Sequence, residues 1–194
     1  MARDARTRPE RLPFTGDDEA DRLLAEDPNA LLIGFCLDQQ VTVQKAFAGP
    51  LELRRRLGHL DPRRIANEDP EHLVAVFRER PALHRFPGSM ATRVRMLCAS
   101  IAERYDGDGA RVWDDAVSGA DLRARLADLP GMGELKVASL LVLLARQYGV
   151  DLPGLEAELT TKPTLGAVTS AEELAAYQAG KRAHKAAMRA ARDQ

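Results

Sequence analysis

Apolar positions recur at helical spacing along nearly the whole chain. Residues 91–105, ATRVRMLCASIAERY, place Val94, Leu97, Cys98, Ile101, Ala102 and Tyr105 at steps of 3, 1, 3, 1 and 3. That spacing predicts one face of an amphipathic helix, with Arg93, Arg95 and Arg104 off it. Residues 30–47, ALLIGFCLDQQVTVQKAF, open apolar at Leu31, Leu32, Phe35 and Cys36 and turn polar at Asp38-Gln39-Gln40. NEDPEHLVAVFRER places candidate N-cap residues before an apolar stripe. SGADLRARLADL, 118–129, predicts a short helix. VASLLVLLARQYGV, 137–150, is apolar nearly all round and predicts a central buried one. A last helix is expected from Ser170, with Glu173 three residues on as a capping box. GDGARVWDDAV and FPGSM read as short, turn-rich connections. No segment alternates as a strand does. The expected fold is all-α, a two-lobed helical domain. It divides into an N-terminal segment (1–27), a helical core (28–160) and a basic helical tail (161–194) packed on that core.

Composition narrows the classes. The 194 residues suit one domain, or one domain of two small lobes. With 45% hydrophobic and 29% charged residues the chain has ordinary globular balance, and no run of about 18 apolar residues spans a membrane. The opening MARDARTRPERLPF lacks an apolar h-region, so a secretion signal is not expected and the cytoplasm is. Cys36 and Cys98 are the only cysteines, which argues against a zinc site, a four-cysteine iron–sulfur cluster or a disulfide scaffold. Both fall on apolar faces and read as core. His59, His72, His84 and His184 have no metal-ligand spacing and read as surface residues. Trp113 and Phe86 read as packing residues.

A net charge of −1 weighs against a strongly electrostatic nucleic-acid binder. The charge is uneven, though. Arg54, Arg55, Arg56, Arg63 and Arg64 crowd one stretch, and KRAHKAAMRAARDQ at the C-terminal end carries five Lys/Arg against one Asp. Either cluster is a solvated face or a phosphate track.

The most particular stretch is LPGMGELKVA, 129–138. A helix ends near Leu129, and Pro130 cannot continue its donor ladder. Gly131 and Gly133 allow positive φ and carry no Cβ. The helix that follows begins with unpaired N–H groups and a positive dipole end. A phosphate can be gripped there by main-chain donors without a large basic charge. Lys136, three residues past Gly133, adds a charge. The plain alternative is a helix–turn–helix corner in which glycine serves only the turn.

Leu-Pro-Gly-Met-Gly, followed by Ala138 and an apolar helix, resembles the hairpin of the helix-hairpin-helix DNA glycosylases, the superfamily that includes endonuclease III. FCLDQQVTVQKAF, 35–47, resembles that family's early helix, whose polar turn supplies a side chain to fill the gap left by a flipped base. FPGSMATRVRMLCASIAERYDGD, 86–108, resembles the helix preceding the hairpin. The three segments span roughly residues 28 to 155, and the pattern is closest to an actinobacterial-type branch described simply as HhH-GPD proteins.

The resemblance implies a base-excision repair enzyme that bends duplex DNA, extrudes a damaged base and breaks its glycosidic bond. It implies DNA contacts at Leu129, Gly131, Met132, Gly133 and Lys136, and a gap-filling role for Gln39 or Gln40. The catalytic carboxylate would be Asp151, 18 residues after Gly133, although the Thr-His pair that follows it in the family is absent. Glu156 is the nearest substitute. In bifunctional members a lysine two residues past the second glycine attacks the sugar. That position is Leu135 here, and Lys136, the candidate nucleophile, lies about 100° further round the helix. Monofunctional hydrolysis is therefore expected. No cofactor is expected beyond a monovalent cation on the hairpin carbonyls. The partner is double-stranded DNA, and the protein is expected to be a monomer. Two other readings remain open: a non-catalytic DNA-binding or damage-sensing module on the same scaffold, and a helix-hairpin-helix protein–protein interaction domain.

Overall fold

A computed structural model describes residues 8–192, leaving aside the side chains of Lys185 and Arg192. The first seven residues of the expected N-terminal segment and the last two of the tail lie outside the described residues. The described residues form helices and connections, with no strand among them. In chain order the helices are α1 (Asp18–Glu26), α2 (Pro28–Leu37), α3 (Val43–Leu57), α4 (Pro62–Ala66), α5 (Pro70–Arg78) and α6 (Pro87–Arg104). After these come α7 (Arg111–Asp114), α8 (Gly119–Ala127), α9 (Glu134–Gln147), α10 (Leu155–Glu158) and α11 (Ala171–Arg192). A single 3-10 turn at Leu165–Ala167 precedes α11.

Side-chain caps set several starts. Asp17, Asp27, Thr42, Asp61, Asp69 and Ser118 each accept from main-chain N–H groups of the first turn that follows. Proline stands in the first turn of α2, α4, α5 and α6, where its missing N–H costs nothing. For that reason FPGSM is not a connection, as its turn residues predict, because Pro87 opens α6 four residues before the expected start. GDGARVWDDAV likewise contains the short α7. The expected capping box is displaced by one residue. Ser170 Oγ accepts from Glu173 N, but the Glu173 carboxylate turns back to the N–H and hydroxyl of Thr169.

Packing follows apolarity. Every residue of α2 from Ala30 to Leu37 is buried, and α9 is buried from Val137 to Leu144 except at half-buried Ala138. Helices α1, α2 and α3 pack together, α6 closes over α2, α4 and α5, and α9 packs against α8, α10 and the 3-10 turn. Their buried side chains join in one continuous apolar cluster. Leu12 and Phe14, ahead of α1, belong to it, as do Leu165, Val168 and Leu174. Phe47 sits at the centre of an edge-to-face trio with Phe14 and Phe35, each ring 5.0 Å away. Cys36, Cys98 and Trp113 are core residues, as their positions predict, whereas Phe86 is exposed.

Candidate nucleic-acid interface

The corner between α8 and α9 is the one the glycines predict. Gly131 has φ +87°, in the left-handed region. A Cβ on it would meet Cys36 Sγ at 2.8 Å and Arg93 Cδ at 3.0 Å. Gly131 is therefore fixed as glycine by both its conformation and the closeness of α2 and α6. Gly133 is a different case. It is the N-cap of α9 at φ −87°, which any residue adopts, and a Cβ there would meet nothing within 4 Å. Its bare backbone faces open space. No side chain caps α9. Among the described residues the main-chain N–H groups of Gly133, Glu134 and Leu135 donate to no acceptor. They form a row of free donors at the positive end of a 14-residue helix. Leu129 and Met132 are buried and anchor the corner, while Leu135 is 85% exposed beside it.

The corner is tied to the early loop by Lys136. Its Nζ donates to the carbonyl of Gly131 at 3.0 Å and to the carbonyl of Cys36, at the end of α2, at 3.1 Å. Burial lowers the Lys136 pKa below its usual value, against the opposing pull of Cys36 and Asp38. Leu129 O accepts from Met132 N at 3.1 Å. The carbonyls of Leu129 and Gly131 thus each accept a hydrogen bond from within or beside the corner.

The loop between α2 and α3 presents the two glutamines differently. Gln39 is held on both sides. Its carbonyl oxygen lies 2.9 Å from His84 Nε2, and its side-chain oxygen accepts from the Arg93 guanidinium. Gln40 is exposed, at φ 56°, and its side chain has no partner among the described residues. Of the two, Gln40 is the residue the loop projects. Asp38, just before them, is half-buried. Burial raises its carboxyl above the usual range, while the Lys181 and Lys136 ammonium groups pull it back down. Residues from α2, α6, α9 and α11 thus meet around one loop.

His84 is not a surface residue. It is 1% exposed, with Nε2 against Gln39 O and Nδ1 accepting from Phe86 N, and burial lowers its pKa. Within the Arg54–Arg64 run, four of the five arginines are engaged and Arg64 is exposed. Arg54 and Arg55 pair with Glu19, Arg63 pairs with Asp106, and Arg56 is buried against Glu52 and the carbonyls of Val76, Glu79 and Pro81. Asp151 follows Val150, whose N–H turns back to the Leu144 carbonyl at 3.0 Å. It is exposed and lies beyond the far end of α9, and a helix of that length separates its ends by about 20 Å. Glu156, also exposed, follows it on α10.

Asp38, Arg93, His84 and Lys181 were not singled out from sequence. Arg93 could have been, since an arginine at the edge of an apolar stripe is placed to reach across to a neighbour.

No protein-family model matches this chain, and no curated protein matches it. The arrangement can grip an anion at the start of α9, present Gln40 to whatever that anion belongs to, and hold Asp38 nearby. Among the described residues no cluster of His, Cys, Asp or Glu fits a metal ion, and no helix is long and apolar enough to cross a membrane.

Proposed function

We propose that this protein is a helix-hairpin-helix DNA glycosylase-like base-excision protein that binds duplex DNA and extrudes a damaged base. The reading is carried by one observation. The free N–H groups of Gly133, Glu134 and Leu135 and the projecting Gln40 belong to segments linked by a single side chain, Lys136. In this reading the N–H row takes a backbone phosphate beside the lesion. Gln40 enters the stack in place of the extruded base, and Arg93 holds Gln39 so that the loop keeps its shape. Lys136 supplies positive charge at the hairpin carbonyls, the role otherwise filled by a monovalent cation, and binds hairpin to loop. Base release is monofunctional. Water breaks the glycosidic bond, and a carboxylate balances the charge that develops on the sugar. Asp38 takes that role because it stands beside the loop, whereas Asp151 stands at the other end of α9.

The experiment is a cleavage screen. Purified protein is incubated with labelled duplexes, each holding one altered base (uracil, hypoxanthine, an alkylated or oxidised purine, a mismatch), and each reaction is split between alkali and buffer. Strand breaks after alkali alone are expected for at least one lesion. Breaks without alkali would reinstate Lys136 as a nucleophile.

The remote, exposed position of Asp151 favours a second reading, a damage-sensing module that binds the same duplexes without releasing a base. Clear retention of lesion duplexes with no strand break after alkali would establish it in place of the enzyme.

A further inference from the structure

Among the described side chains, those that hold helix α11 to the body lie near its start. Leu174 is buried, Tyr177 packs against the core, and Gln178 exchanges hydrogen bonds with Gln44, the closer at 2.8 Å. From Ala179 to Ala191 every residue whose side chain is described is exposed. No Asp or Glu occurs between Leu174 and Arg192, yet Lys or Arg stands at 181, 182, 185, 189 and 192. At about 100° per residue these five positions share one arc of roughly 100°. Lys181 and Lys185, like Lys185 and Arg189, are four residues apart, a spacing at which like charges weaken a helix. Among the described residues no carboxylate forms an ion pair with Lys181, Arg182 or Arg189. The rest of the circumference is Ala and Gly with His184 and Met188. It lacks the Trp, Phe and Leu that seat a helix in a lipid surface.

The cationic face begins at the site. Lys181 is close enough to Asp38 to act on its carboxyl, and Gln178 is bonded to Gln44 in the first turn of α3. We propose that the cationic face of α11 is a second DNA contact, gripping backbone phosphates of the duplex that flanks the hairpin site. This placement rests on the duplex-binding reading given above. Beyond Gln178 the helix reaches about 20 Å, and at about 3.4 Å per base step it tracks roughly six base pairs away from the extruded base.

The test compares the full chain with R182Q/R189Q, which leaves Lys181 beside Asp38 in place, exchanges two exposed side chains for another good helix former and should keep the fold. Binding is read by fluorescence anisotropy over a salt series, on duplexes of about 20 and about 8 base pairs, with G133A and phosphatidylserine–phosphatidylcholine vesicles in parallel. On the long duplex the variant should bind at least about tenfold more weakly, and its log–log salt slope should fall by roughly two, one phosphate per charge removed. On the short duplex the loss should be clearly smaller, because Arg189 reaches past its end, and vesicles should retain neither protein. An unchanged slope on the long duplex, while G133A still loses binding, overturns this inference alone and leaves the hairpin reading intact. Equal loss on both duplexes overturns the flanking placement. Retention by vesicles without duplex binding overturns it in favour of a lipid surface. A parent that binds no duplex overturns both readings.

Discussion

The Lys136 ammonium donates to the Cys36 carbonyl 3.1 Å away, across 100 residues of chain. With its second bond, to Gly131 O at 3.0 Å, it joins the α8–α9 corner to the end of α2. Two local sequence signals thereby become one surface. Lys136→Met keeps the aliphatic stem but leaves both carbonyls without this donor. Removing hydrogen bonds made by a charged group should cost about 1–3 kcal/mol. Chemical denaturation measures that loss. Duplex affinity should fall further than stability alone explains, because the loop and the hairpin lose their fixed spacing.

Gln40 sits at φ 56°, where glycine is at ease and glutamine is not. Gln40→Gly should therefore stabilise the fold by up to about 1 kcal/mol. It should at the same time abolish any preference for damaged over intact duplex, since the projecting side chain is gone. Gln40→Ala should lose the same preference without the gain in stability. If both variants still discriminate, Gln40 is not the residue that enters the stack.

Asp38 gives a pH signature. Its carboxyl is raised above the ordinary 3.8 by burial, so the folded chain holds this proton more tightly than the unfolded chain. The contribution of Asp38 to stability is then largest in acid. It declines as pH rises from the ordinary carboxylate range through the raised folded value, and it stays low above that. Asp38→Asn should melt higher than the parent near neutral pH, with the difference closing on acidification, and should release no base. Thermal melts across pH and the alkali assay read the two effects separately. Full excision by Asp38→Asn, together with loss in Asp151→Asn, would return the carboxylate role to Asp151.

The cysteines should be silent. Burial pushes the Cys36 thiol up to about 11 and raises that of Cys98 as well. A thiol-directed reagent at mildly alkaline pH should label neither cysteine in the folded protein and both after denaturation, as counted by mass spectrometry.

The helices were largely legible in the sequence because their signals are local. The α6 stripe, the apolar α9 and the Pro-Gly-x-Gly corner each depend on residues within a few turns. The polar cluster was not. His84 looks like any isolated histidine until the fold sets it against the Gln39 carbonyl. Arg54, Arg55 and Arg56 look like a phosphate track until Glu19 and Glu52 arrive beside them. Spacing from the hairpin selected Asp151. Between them stand the 14 residues of α9, about 20 Å of helix, before Val150 turns back to the Leu144 carbonyl. Sequence distance and spatial distance part wherever a helix separates two residues.

The central claim is that the bare backbone at Gly133 exists for a DNA phosphate. Neither its φ nor any neighbour requires glycine there. The direct measurement is duplex affinity by anisotropy for the parent and Gly133→Ala, with thermal melts of both. The account predicts that Gly133→Ala loses affinity by about tenfold or more, well beyond the small drop in melting that alanine at an N-cap brings, because the added methyl stands where the phosphate must approach the free N–H groups. Equal affinity of the two proteins, or no duplex binding by the parent, would contradict it.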